Sequence, residues 1–164
     1  RLDAAAPRQR ARLESLSTPL AATPLPPDLR RGQAIFNSQK AACSACHAMG
    51  YLGGNLGPDL TRIGQVRSER DLLESIVFPS ASFVRSYEPM VVVTRAGEEH
   101  SGVLRRDADD EVILATGPAT ELRLARAHIA EQRPGRVSVM PSGLDEQLTP
   151  QELADLIAFL KASR

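Results

Sequence analysis

Cys43-Ser44-Ala45-Cys46-His47 is the stretch of this sequence whose residue types and spacing could do chemistry. The chain holds two cysteines and three histidines among 164 residues, so a C-x-x-C spacing followed directly by one of the histidines has a chance probability on the order of 10⁻⁴. Three chemistries use such a pair. A thioredoxin-like dithiol follows a strand and opens a helix, yet residues 33–42 (QAIFNSQKAA) carry no β-branched pattern apart from Ile35. A structural zinc site needs a second ligand pair, and only His100 and His128 remain, far apart in sequence. Covalent haem attachment needs two thiols on one helical turn, to form thioethers with two vinyl groups, and a following histidine directed at the iron. The spacing favours this third chemistry, with a chance thiol pair or a metal site as the alternatives.

A six-coordinate iron would need a donor opposite His47, and the candidates are Met49, Met90, Met140, His100 and His128. Met49 is two residues from His47 and cannot reach the far side of a macrocycle. Met90 and His100 fall in stretches with strand texture, where a half-buried sheet residue is the commoner role. His128 lies among charges in ARAHIAEQR and reads as solvated. Met140 stands in the irregular stretch VSVMPSGL ahead of the last helix. A loop can hold a thioether rigidly there, but a lone Met is as often core filler.

Helices must position these groups. Residues 28–39 (DLRRGQAIFNSQ) carry Leu29, Gly32, Ile35 and Phe36 near one face, with Asp28 as cap. Residues 68–78 carry the stripe Leu72, Leu73, Ile76, Val77, with Ser68 and Asp71 as a capping box and Pro79 as the stop. The last helix starts with Thr149 as cap, Pro150 at the first position and Glu152 closing the box. Leu153, Leu156, Ile157 and Leu160 then follow at helical spacing. Between the second and last helices, residues 89–95, 99–106, 111–116 and 121–125 read as strands joined by turns, a small antiparallel meander. Residues 1–27 hold five of the twelve prolines and read as a Pro/Ala-rich linker or tail with one helical turn. The chain starts at Arg1 without an apolar signal region, which reads as a mature or excised fragment.

Composition narrows the function. Twenty Lys and Arg balance twenty Asp and Glu, which argues against a nucleic-acid-binding module or a polybasic membrane binder. Aromatic residues make up only 4 % of the chain, with no Trp, so the core is short of the flat side chains that usually dominate buried area. A planar apolar group would fill that deficit.

Gly32 to Phe36, the CSACH motif, Asn55-Leu56-Gly57-Pro58-Asp59-Leu60 and a Met-Pro ahead of a helix ending Phe159-Leu160 together resemble a class I cytochrome c. More narrowly, GPDLTRIG, ERDLLESIVFPSA, YEPMVVVTRAGEEHSGVLRRDADDEVIL and SVMPSGLDEQLTPQELADLIAFL resemble the c-type haem-binding domain of planctomycete and verrucomicrobial proteins, over about residues 28–162. The resemblance implies a mainly α chain: a class I cytochrome c fold over residues 28–164, with a small β-meander at about 89–125 inserted before the Met140 loop. It implies one covalent haem c on Cys43 and Cys46, with His47 and Met140 as the iron ligands. The Pro58 carbonyl would then accept from His47 Nδ1, Leu60 would contact the haem, and Arg62 is the candidate for a propionate. Gly32 and Phe36 would cross Phe159 and Leu160.

The function so implied is electron transfer by a non-enzymatic carrier, or by the electron-accepting domain of a larger dehydrogenase. Its partners would be redox proteins such as a dehydrogenase, another cytochrome or a terminal oxidase, and its location the periplasm or outer membrane face. An N-terminal fusion domain and a dimer formed through the β insert are compatible with it. The rival readings are a peroxidase-like haem enzyme or gas sensor with a switchable distal site, and a docking domain in which haem serves folding alone.

Overall fold

The signals at the end of the chain are realised as a capped helix around which the helical half is built. Thr149 accepts the Glu152 amide, Glu152 accepts the Thr149 amide, and α7 (Pro150–Ala162) buries Leu153, Leu156, Ile157 and Leu160. The structure is a computed structural model and describes residues 5–164. Against α7 lies α2 (Leu29–Phe36), capped by Asp28. Gly32 makes the close crossing possible, because a methyl group there would sit 2.1 Å from the Asp155 carbonyl oxygen and 2.6 Å from Phe159 Cβ. One turn on, the rings of Phe36 and Phe159 meet at 5.7 Å in a tilted pair. Arg31 fastens the crossing through Asp155, with Nε 2.7 Å from Oδ2 and a carboxylate side chain only 2 % exposed.

Three shorter helices complete the frame: α4 (Ile63–Val66), α5 (Glu69–Val77) with its Ser68–Asp71 capping box, and α6 (Leu144–Gln147). Leu72, Leu73, Ile76, Val77, Leu144 and Leu148 share one core with α2 and α7. The N-terminal stretch departs from a linker. It forms α1 (Ala5–Ala21), a 17-residue helix. Leu13 is 3 % exposed there, and Leu16 and Leu20 pack on the same core. Those three leucines, spaced by three and four, find an apolar surface that only the folded chain provides, and their burial offsets the one i→i−4 hydrogen bond that Pro19, lacking an N–H, does not make. Arg12 adds an ion pair to Asp145 at 2.7 Å. Residues 1–4 of that stretch lie outside the described residues.

The strands correct the mainly α expectation. The structure is 38 % helix and 24 % strand, with a five-stranded antiparallel sheet forming a core, and is therefore an α+β fold rather than a mainly α cytochrome fold. The sheet comprises β3 (Pro89–Thr94), β4 (Glu99–Asp107), β5 (Glu111–Gly117), β6 (Thr120–Ala125) and β7 (Ile129–Pro134), in the order β6-β5-β4-β3-β7. β1 (Ala48–Met49) and β2 (Leu52–Gly53) form a separate short hairpin.

β6 and β7 stand at opposite edges of that sheet, yet only a 3-10 turn, Arg126–His128, joins them. In a flat sheet the edges would be roughly 19 Å apart, far beyond the reach of three residues wound as a 3-10 turn, roughly 6 Å. The sheet must therefore curl into an open barrel, and Arg126 fastens the seam by bonding both Gln132 of β7 and the Ala108 carbonyl beyond β4. Val92, Val112, Leu114 and Ile129 fill the barrel, with Met90, Leu104 and Leu124 around them. The insert thus extends past residue 125 and has its own core, which makes it an architectural half of the molecule.

Candidate functional site

The motif folds as a single helical turn, α3 (Cys43–Cys46), which ends where the His47 amide bonds to the Cys43 carbonyl at 2.9 Å. Ala42 enters it with φ of 50°, a left-handed conformation that a non-glycine residue adopts at some strain. This turn puts Cys43 and Cys46 three positions apart on one short helix, with His47 directly after it.

A backbone wrap then fixes the motif. The Gly54 amide bonds to the Ser44 carbonyl at 2.9 Å, Gly57 to Cys46 at 2.8 Å and Leu60 to Ala48 at 2.9 Å. Two glycines are required by contact. A methyl group on Gly54 would meet the Ala45 carbonyl oxygen at 2.0 Å, and one on Gly57 would lie 2.4 Å from His47 Cε1. The imidazole therefore lies flat against the Gly57 backbone.

His47 Nδ1 lies 2.7 Å from the Pro58 carbonyl oxygen, so this nitrogen carries the proton and donates it. Burial lowers the His47 pKa, and the Pro58 bond only partly opposes it. The ring is consequently neutral near pH 7, with the lone pair on Nε2 left as a donor to a metal. Both cysteines are free thiols. Burial pushes Cys43 up to about 11 and also raises Cys46. A reactive dithiol has a depressed thiol pKa, so the thioredoxin-like chemistry finds no support here. Among the described residues no three His, Cys, Asp or Glu side chains gather to hold a metal ion, so the zinc chemistry lacks its second ligand pair.

The Met140 loop borders the same two cores as the motif. Met140 and Cys43 both pack on the helical core. Val139 packs with Cys46, Tyr87 and Leu56 on Val103 and Ala115 of the sheet. The loop is pinned by the Ser138 amide on Ser80 Oγ at 2.9 Å and by the Met140 amide on Ser138 Oγ at 3.1 Å. On the two segments that this bond joins, Val84 and Val137 remain 48 % and 72 % exposed. Two thiols, a neutral imidazole and a thioether on a loop that borders the same cores are a donor set of the kind that a haem takes.

The remaining sequence candidates separate. Leu60 packs on the helical core. Arg62 is exposed in an open cleft of about 510 Å³ with Gly50, Tyr51, Asp59 and Thr61. Met49 packs on the helical core, Met90 belongs to the barrel interior, His100 lies on β4, and His128 is exposed on the 3-10 turn. Sequence reasoning missed Gly57 as the seat of the ring, although a glycine directly before the Pro58 acceptor was a readable signal. It also missed Arg105, a β4 residue whose guanidinium bonds the Asn55 carbonyl, for which the sequence carries no mark.

Compared with models of known protein families and with curated proteins, the chain matches none.

Proposed function

We propose that this chain is a single-haem c-type electron carrier in which Cys43 and Cys46 would hold the haem covalently and His47 and Met140 would ligate its iron. The observation that carries the reading is the His47 ring. Its Nδ1 proton is committed to the Pro58 carbonyl at 2.7 Å, which leaves Nε2 free directly after a turn bearing two thiols. Bound haem supplies reversible one-electron chemistry through its iron. The protein's part is to keep that iron saturated and its surroundings rigid. Pro58 fixes the imidazole and raises its basicity, while the Met140 thioether, a soft donor, would favour the ferrous state and would keep small ligands off the iron.

Nothing in this reading asks for a general acid or base, and the histidines that a peroxidase-like site would recruit lie on the sheet and its 3-10 turn. Covalent haem attachment takes place outside the cytoplasm, so the reading carries with it a periplasmic or outer-face location and redox proteins as partners. Carbon monoxide tests it. The ferrous protein should show a c-type spectrum and bind carbon monoxide only slowly, whereas Met140→Ala should bind it fully and at once. Immediate, complete binding by the parent, or peroxide turnover by the parent equal to that of Met140→Ala, would overturn the carrier assignment.

A further inference from the structure

Besides the apolar contact of Val103 and Ala115, the sheet reaches the proposed site through a polar residue that has no partner in its ladder. Leu104 of β4 pairs with Leu114 and Arg106 pairs with Ile113, so Arg105 is the extra residue of a β-bulge. Bulges bend a strand and re-aim a side chain. Here the bulge turns the Arg105 guanidinium onto the carbonyl oxygen of Asn55, with the Asn55 side-chain oxygen at 3.5 Å. The next residue, Leu56, is 2 % exposed and sits on Val103 and Ala115, the second pair of the β4–β5 ladder before the bulge. Gly57 follows, its amide on the Cys46 carbonyl and its α-carbon against the imidazole, and then Pro58, whose carbonyl takes the His47 proton.

Four consecutive residues therefore run from the sheet to the ring. We propose that Arg105 is a positioning residue for His47: by holding the Asn55 carbonyl it fixes the 55–58 segment, and with it the hydrogen bond that orients the imidazole. On this account the sheet is a buttress of the proximal ligand. The consequence for the iron rests on the carrier reading, while the clamp on the ring does not. Loosening the segment weakens the His47–Pro58 bond, makes the imidazole a poorer donor and moves the midpoint potential upward.

The test is solvent exchange of the His47 Nδ1 proton, followed by nitrogen-15 NMR on the purified full chain in its ferrous form. Intact mass is recorded on the same sample. Arg105→Gln should speed that exchange about tenfold, in line with loss of one charge-assisted hydrogen bond. Arg105→Lys, which keeps a donor for the Asn55 carbonyl, should restore most of the protection. Arg126→Gln loosens the barrel seam without touching residues 55–58, and should leave the Nδ1 proton as protected as in the parent. Unchanged exchange in Arg105→Gln, or equal acceleration in Arg126→Gln, would overturn the proposal. A sample without haem mass would instead overturn the carrier reading, while its exchange rates still decide whether Arg105 holds the ring.

Discussion

Gly57→Ala is the smallest change that strikes the proposed site directly. The added carbon would lie 2.4 Å from His47 Cε1, 2.8 Å from Nδ1 and 2.9 Å from Nε2. Carbon contacts settle at about 3.5–4.0 Å, so the nearest overlap is about 1 Å or more and either ring or backbone must move. The backbone has little freedom to retreat, because the Gly57 amide is bonded to Cys46 at 2.8 Å and Leu56 is buried against the sheet. Gly57 does not use a left-handed backbone, so the effect is steric alone. The ring should swing off Pro58 and give up its 2.7 Å bond. Overpacking costs about 1–3 kcal/mol and a lost hydrogen bond about 1 kcal/mol, for a total of roughly 2–4 kcal/mol. Denaturant unfolding should report that loss. With both cysteines intact the haem mass should be retained, while the visible spectrum and midpoint potential change because His47 is displaced. Gly50→Ala is the control: Gly50 has φ of +66° and no neighbour within 4 Å of the added carbon, so the spectrum should not change. A Gly57→Ala protein with the parent's spectrum and a stability within about 0.5 kcal/mol of it would refute this reasoning.

Gly32→Ala should destabilise by at least about 1–3 kcal/mol, because the new methyl meets the Asp155 carbonyl at 2.1 Å. Chemical denaturation measures it, and the visible spectrum of the haem form should be retained. Leu114→Ala empties part of the barrel, where Leu114 is 0 % exposed, and should cost about 2–5 kcal/mol in the same assay. Asp155 gives an acid-side prediction. Burial by itself pushes its carboxyl up, but Arg31, the Asp28 amide and Gln151 together hold it below the ordinary carboxylate range. A depressed folded-state pKa stabilises above the unfolded value and is lost as pH falls through the folded one. Arg31→Gln should therefore move the acid unfolding midpoint, followed by circular dichroism, to higher pH, and lower stability at pH 7. An unmoved acid midpoint would show that the Arg31–Asp155 pair contributes nothing to acid resistance.

Local signals were legible wherever the chain's own chemistry defines the element. Thr149-Pro150 with Glu152 and Ser68 with Asp71 are caps that depend only on neighbours in sequence, and both form as written. Strands β3 to β6 were legible for the same reason, from alternation and turns. β7 was not, because as an edge strand it presents Glu131 and Arg133 outward and Gln132, bonded to Arg126 and Asp107, in place of an apolar side chain. Without β7 the sheet reads as an appendage. With it the barrel closes on its own core, and the fold class changes. α1 was hidden because its few leucines are apolar enough only against a surface made by α5 and α7, which lie far along the chain. At the site, the CSACH spacing was legible because it is short-range, whereas the Pro58 acceptor, eleven residues on, was an expectation only through the family resemblance. The dependence of the ring on Gly57 and of the 55–58 segment on Arg105 is a matter of contact distance and a bulge, which no spacing rule encodes.

The central claim is that Cys43 and Cys46 carry a haem through covalent bonds, and intact mass spectrometry under denaturing conditions tests it most directly. Expressed with haem-attachment machinery, the full chain should weigh its own mass plus one haem, and Cys43→Ala/Cys46→Ala should weigh its own mass alone. A parent chain without the added mass under those conditions would contradict the account.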